Sequence, residues 1–267
     1  MSKEVSNEQL KLIGIEILKY IDELCEKNSI DYFINFGTLI GAIRHQGFIP
    51  WDDDIDICME RSEYERFLKI IKEENKYRLI NSSTQNYYYN NFSRICDKKT
   101  YLTFYNIPNI ENMGVFVDVF PLDNIPQNIN KKEEMFKKIY ELSDEIYYSL
   151  PLKWYKTLGI KRKIKMYLYK IFNKNLNYFN LINQMDKIMK EYNGKTDILS
   201  CLCLPDDRMT FTKKEYSGRI RVKFENIEVN APLNYDMILR KLYGDYMKMP
   251  REIEQISLHH FKVYWKE

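Results

Sequence analysis

Leu10, Ile13, Ile17, Leu18, Ile21 and Leu24 return mostly at intervals of three and four, the spacing that lines one face of an α-helix. Ser6 with Gln9 three positions on is a capping-box pattern, so the periodicity predicts a helix over 7–27. Asp31 to Phe36 is rich in β-formers and predicts a strand, broken by Gly37-Thr38. Leu39, Ile40, Ala42 and Ile43 then predict a short helix to His45, and Gly47 and Pro50 mark a loop. From Asp54 to Met59 the pattern alternates, with Ile55, Ile57 and Met59 on one side, which predicts a strand. A helix over 62–74 follows, then strands near 77–81, 88–96 and 101–105, and a buried strand Val115 to Phe120 ended by Pro121.

The pattern turns helical from about 131 to 193, with helices near 131–149, 155–172 and 177–192. Short strands near 198–203 and 219–230 and a last amphipathic helix over 234–243, stopped by Gly244, complete the chain. This order predicts an α/β fold of the α+β kind, one domain over 1–267 with a helical insertion at about 131–193. At 267 residues the chain is long enough to bury a core without a disulfide or metal staple. Its five cysteines are scattered and read as buried, reduced thiols. A net charge of +3 is too small for a general nucleic-acid binder. The start carries no leader pattern and no apolar run is long enough to span a bilayer, so the expected location is the cytoplasm.

The densest chemistry is Trp51-Asp52-Asp53-Asp54-Ile55-Asp56-Ile57. Adjacent carboxylates repel and disfavour a strand, so a positive partner is expected. On an alternating strand Asp54 and Asp56 share a face, with Cα atoms about 6–7 Å apart. Two such carboxylates can converge on one divalent ion, and oxygen ligands suit Mg²⁺ or Mn²⁺. An EF-hand loop would need glycine where Ile57 stands. A solvated acidic turn is at odds with the apolar alternate positions. The Asp-x-Asp of a glycosyltransferase, holding a metal on a nucleotide sugar, stays open. Gly37-Thr38 at a strand-to-helix junction offers free N–H groups to an anion, with Thr38 as a cap. Asp118, alone in the apolar Val117-Asp118-Val119-Phe120, is costly there unless paired or metal-bound.

Gly-Thr before a helix, Asp-x-Asp on the next strand and a lone Asp on a later one resemble the nucleotidyltransferase fold. The run from Phe36 to Asp56, through Gly37-Thr38-Leu39-Ile40-Gly41-Ala42-Ile43-Arg44-His45 and Trp51-Asp52-Asp53-Asp54, resembles the signature of the LicD family. Phe116 to Asp123 and Tyr243-Gly244-Asp245-Tyr246-Met247 resemble its second and third blocks. The resemblance implies a nucleotidyltransferase-like mixed sheet and a phosphotransferase. Such an enzyme moves phosphocholine or another phospho-alcohol from CDP-choline or another CDP-alcohol to a cell-surface glycan: lipopolysaccharide, teichoic acid or a capsule precursor. Carried over by position, Asp54, Asp56 and Asp118 would be the metal carboxylates and catalytic groups, and Gly37 and Thr38 would sit by the donor phosphates. Arg44 and Arg94 are candidate phosphate partners. Asp52, Asp53 and His45 are candidates for the surrounding shell, with His45 as an optional base. A nucleotidyltransferase charging an alcohol phosphate with CTP is the other rival. The adjacent His259 and His260 diverge on any regular element and make a poor metal pair.

Residues 153–174 hold eight lysines and arginines and no acid, interleaved with Trp154, Tyr155, Ile164, Leu168 and Phe172. An interfacial amphipathic helix has this composition. It would suit a lipid-linked acceptor and peripheral contact at the inner membrane face, against the ordinary alternative of a solvated helix flank.

Overall fold

The computed structural model describes residues 2–71, 76–105, 108–151, 159–172, 177–256 and 261–267. His259 and His260 lie outside the described residues, as do positions 153–158 and 173–174 of the basic stretch. Ser6 opens the first helix: its Oγ accepts from Gln9 N at 3.2 Å while Gln9 Oε1 accepts from Ser6 N at 3.1 Å. The helix, α1 (Asn7–Lys27), buries Leu10, Ile17, Leu18 and Ile21.

The predicted strand at 31–36 shrinks to β1 (Phe33–Ile34), because the helix α2 (Phe36–His45) begins earlier than the apolar pattern suggests. The strand predicted from Asp54 begins at Asp56: β2 is Asp56–Glu60. Ile55 already meets the sheet, its carbonyl accepting from Asp118 N at 2.9 Å, but the run of acids before it stays out of the ladder, in keeping with their poor β-propensity. Helix α3 (Arg61–Ile70) follows; of the predicted span, 72–74 lie outside the described residues.

Strands β3 (Tyr77–Ile80), β4 (Ser93–Asp97) and β5 (Thr100–Phe104) come next. Residues 88–92, expected to be strand, are not. Tyr87 adopts a φ of 60°, Tyr88 is fully buried and the Tyr89 hydroxyl donates to Pro108 O, so these aromatics anchor the turn leading into the ladder. Strand β6 (Phe116–Asn124) runs through Pro121 instead of ending there. Asp118 N points at β2, so alternation aims the Pro121 nitrogen to the other side. On that side β4 pairs only as far as Val119, and β7 (Ile198–Ser200) starts only at Asp123. Pro121 falls in the gap, where no donor is needed.

The main sheet has the order β1-β2-β6-β4-β3, extended from β6 through β7 to β8 (Thr210–Thr212). The β2–β6 ladder is parallel and its neighbours are antiparallel, which gives the predicted α+β character. Ile57, Met59, Val117 and Val119 join the α1 side of the core. Cys58, Phe120 and Leu122 face the other way, against Phe211, Tyr216, Ile238 and Leu242. The hairpin β9 (Arg219–Phe224) and β10 (Ile227–Pro232) leads into α7 (Tyr235–Tyr243), which Gly244 ends. Strand β11 (Phe261–Trp265), absent from the sequence reading, pairs with β5. Helices α4 (Ile129–Ser149), α5 (Ile160–Phe172) and α6 (Tyr178–Met189) share a separate apolar cluster around Phe136, Ile139, Met185 and Met189. All five cysteines are free, and four are buried.

Candidate active site

Helix α2 delivers the first half of the site. Its N-cap is Asn35, which makes no side-chain capping bond; the Asn35 Oδ1 instead accepts from the buried Tyr216 hydroxyl at 3.2 Å. Thr38, expected to cap, lies within the first turn. Its Oγ1 accepts from Asp56 N at 2.8 Å, and Asn35 N donates to Asp56 O at 2.9 Å. Two bonds thus clip the helix N-terminus to the first residue of β2. Gly37 lies against the acidic loop: a Cβ there would stand 2.5 Å from Asp52 Oδ2, so only glycine leaves that carboxylate where it is.

The loop sorts its acids in two groups. Asp52, Asp53 and Asp54, all half-buried, each bring a carboxylate oxygen within 4.8 Å of the others. Asp56 instead stands on the sheet, opposite Asp118 in the β2–β6 ladder. Arg94 is opposite Asp118 in the β4–β6 ladder, so the three side chains lie in a row across one sheet face. The Arg94 guanidinium spans the Asp118 carboxylate, donating from Nε at 2.6 Å and from Nη2 at 3.2 Å. The pair is buried, and the Phe116 ring lies 4.2 Å from the guanidinium. Arg94 Nη1 is buried with no hydrogen-bond partner. Sequence reasoning nominated Asp118 and Arg94 separately; the fold makes them one ion pair.

Arg44, a candidate phosphate partner in the sequence, stands at the end of α2. It donates to His45 Nε2 at 2.9 Å and to Tyr246 O at 2.6 Å, which fastens the segment after α7 to the end of α2. Burial, and then Arg44, hold the His45 imidazole below its ordinary pKa. Tyr243, the last residue of α7, comes just before the fastened segment; its phenol is pushed up first by burial and then by Asp56, with Asp52 adding and Arg208 opposing. The expected positive partner of the acids comes from α1. Lys11 donates to Pro50 O at 3.2 Å and lies over the Phe48 ring. Burial lowers the Lys11 pKa, while Asp52 and Asp53 pull against that. Sequence reasoning gave no role to Lys11, Tyr243 or Arg208. Lys11 sits in an ordinary amphipathic repeat, and Tyr243 is signalled only by its place in the third motif block.

Residues 29–164 match the family described as LicD/FKTN/FKRP, nucleotidyltransferase domain. The chain is also 30% identical, over 98% of its own length and 99% of its relative's, to the lipopolysaccharide cholinephosphotransferase LicD of Haemophilus influenzae. The chain belongs to the LicD family. It is accordingly an enzyme, a transferase of the LicD type. An uncharacterized protein, RP689, of Rickettsia prowazekii is 30% identical over 54% of this chain and 55% of its own. A second, RT0683 of Rickettsia typhi, is 43% identical over 24% of this chain and 21% of its own. The LicD domain match takes in Gly37, Thr38, Arg44, His45, Asp52, Asp53, Asp54, Asp56, Arg94 and Asp118. Lys11 and Tyr243 lie outside it and are supplied by α1 and by the end of α7.

The donor set fits a hard divalent ion. Three carboxylate oxygens converge, and carboxylate oxygen is what Mg²⁺ and Mn²⁺ select. The Gly37 cradle that a Cβ would fill keeps Asp52 in that group.

Proposed function

We propose that this LicD-family transferase moves phosphocholine, or a closely related phospho-alcohol, from CDP-choline or another CDP-alcohol to a hydroxyl of a cell-surface glycan, lipopolysaccharide in the first place. The observation that carries this reading is the similarity to the Haemophilus influenzae lipopolysaccharide cholinephosphotransferase along nearly the whole of both chains. The clustered acids at the mouth of the sheet are the chemistry it needs.

The acceptor oxygen attacks the phosphorus that bears the choline, the bond from that phosphorus to the bridging oxygen of the diphosphate breaks, and CMP leaves. The hydroxyl proton passes to a carboxylate of the site. Reactions of this kind rest on positioning and charge neutralisation. Mg²⁺ or Mn²⁺, bound by Asp52, Asp53 and Asp54 with Asp56 beside them, would supply neutralisation at the diphosphate. The N–H groups at the start of α2, at Gly37 and Thr38, would hold a donor phosphate. Asp118, spanned by Arg94, stands beside Asp56 in the row of charges, its own charge balanced by the guanidinium. A lipid-borne acceptor would bring the enzyme to the inner membrane face.

The test is CMP release from CDP-choline, CDP-glycerol and CDP-ribitol, with and without Mg²⁺ or Mn²⁺, in the presence of a lipopolysaccharide acceptor. One CDP-alcohol is expected to yield CMP and a phosphodiester-bearing glycan by ³¹P NMR, only with the ion. Asp54→Asn with Asp56→Asn should remove about three orders of magnitude or more of the rate. Pyrophosphate released from CTP, or a nucleoside diphosphate released from a nucleotide sugar, would overturn the reading.

A further inference from the structure

Helix α5 carries its apolar stripe on the outside. Ile160, Ile164, Tyr167, Leu168, Ile171 and Phe172 are all exposed, from 44% at Ile171 to 81% at Phe172. At about 100° per residue they fill roughly 140° of the helix circumference. The opposite side is the one attached to the protein. Met166 there is 2% exposed and belongs to the α4–α6 cluster, the Tyr169 ring stacks on Tyr148 at 4.3 Å, and Lys170 donates to Leu150 O. An amphipathic helix normally turns its apolar stripe to the core; this one is held by a narrow opposite edge and shows the stripe to solvent. Contiguous exposed apolar surface on one element marks a contact surface.

Charge tells what kind of contact. Lys161, Lys163 and Lys165 lie within and beside the stripe, and the sequence from Lys153 to Lys174 contains no acid. A symmetric pair of this helix would set those lysines against their own copies, with nothing on the helix to offset them. An anionic lipid surface meets both features at once: the headgroups take the lysines and the acyl boundary takes the stripe. No helix of the described residues is long and apolar enough to cross a membrane, so such contact would be peripheral.

We infer that α5 is a membrane-docking helix that binds the surface of an anionic bilayer through its outward apolar stripe. The inference stands on the helix itself and needs neither donor nor acceptor. The test is flotation of the full chain with vesicles of phosphatidylcholine alone or mixed with phosphatidylglycerol, at low and high salt. The protein should float with the mixed vesicles and release as salt rises. Lys161→Gln with Lys165→Gln should weaken binding about 30-fold, at about 1 kcal/mol for each lysine near an anionic surface. Ile164→Ser with Leu168→Ser should weaken it at least tenfold at any salt. All four positions are exposed, and Lys165 also lies over the Tyr148 ring at 5.6 Å, so circular dichroism should match the wild type and melting should fall only slightly. Equal flotation with and without the anionic lipid, or variants that float as the wild type does, would overturn the inference. So would a concentration-dependent dimer in sedimentation that the Ile164→Ser and Leu168→Ser pair abolishes, since it would assign the stripe to a second copy. Because no substrate is present, failure here leaves the transfer reading untouched, and loss of CMP release leaves this one untouched.

Discussion

Gly37 is where a single atom decides the site. A methyl group at that position would stand 2.5 Å from the Asp52 carboxylate, so Gly37→Ala must push Asp52 out of its group with Asp53 and Asp54. The expected result is a turnover lower by about 10–100-fold, the usual consequence of a misplacement near 1 Å. Divalent-ion affinity should weaken with it in titration calorimetry while the melting temperature holds; unchanged affinity would show that the Asp52 position does not matter. His45 gives a second test, in pH. It accepts from Arg44 in its neutral form, and its pKa is held down by burial and by Arg44. Protons therefore bind the unfolded chain more readily than the folded one. The resulting stability is complete above the unfolded value near 6.5 and is lost as pH falls through the folded value. Between about pH 7.5 and pH 5.5 the wild type should lose more melting temperature than His45→Gln. Parallel losses would mean that His45 is not linked to folding.

The β2–β6–β4 ladder turns residues distant in sequence into one row. Asp56, Asp118 and Arg94 meet because register places them side by side, and the buried Arg94–Asp118 pair sets the energetic stakes. Removing one member leaves the other charged and unpaired in the interior, so Arg94→Ala should cost about 3–5 kcal/mol in urea unfolding. The joint replacement Arg94→Met with Asp118→Leu should cost less than Arg94→Ala alone, since it leaves no orphan charge; an additive loss would contradict this account. How far the sequence reveals such an element depends on what fixes it. The capping box at Ser6 and Gln9, the 3.6 period of α1 and the glycine stop of α7 are local, and the structure follows them. The start of α2 is decided by bonds to β2, from Thr38 Oγ1 and Asn35 N, which the apolar pattern does not contain. Strand β6 passes Pro121 because of where β4 ends and β7 begins, a fact of topology. The motif blocks point to Gly37, Thr38 and the acids, but Lys11 lies in an unremarkable helical repeat and joins them only once α1 is packed on the sheet.

At the scale of the whole chain, a net charge of +3 conceals two opposed concentrations: acids at 52–56 and a basic stretch without a single acid at 153–174. The first lies in the loop that enters β2, with Asp56 on the strand itself, and the described part of the second lies on α5, in a helical segment with an apolar cluster of its own. Where that segment joins the sheet, Ile125 N donates to Ile198 O at 2.9 Å, and β7 pairs with the same strand from which the segment departs. The chain therefore leaves β6 and comes back to it at a closed gate. Because closing a longer excursion costs little more than closing a shorter one, its size is nearly decoupled from the strand beneath. The reach of the helical segment can then be reset by lengthening or trimming the excursion. Asp118, six residues upstream of Asn124 on the same strand, would keep its place throughout.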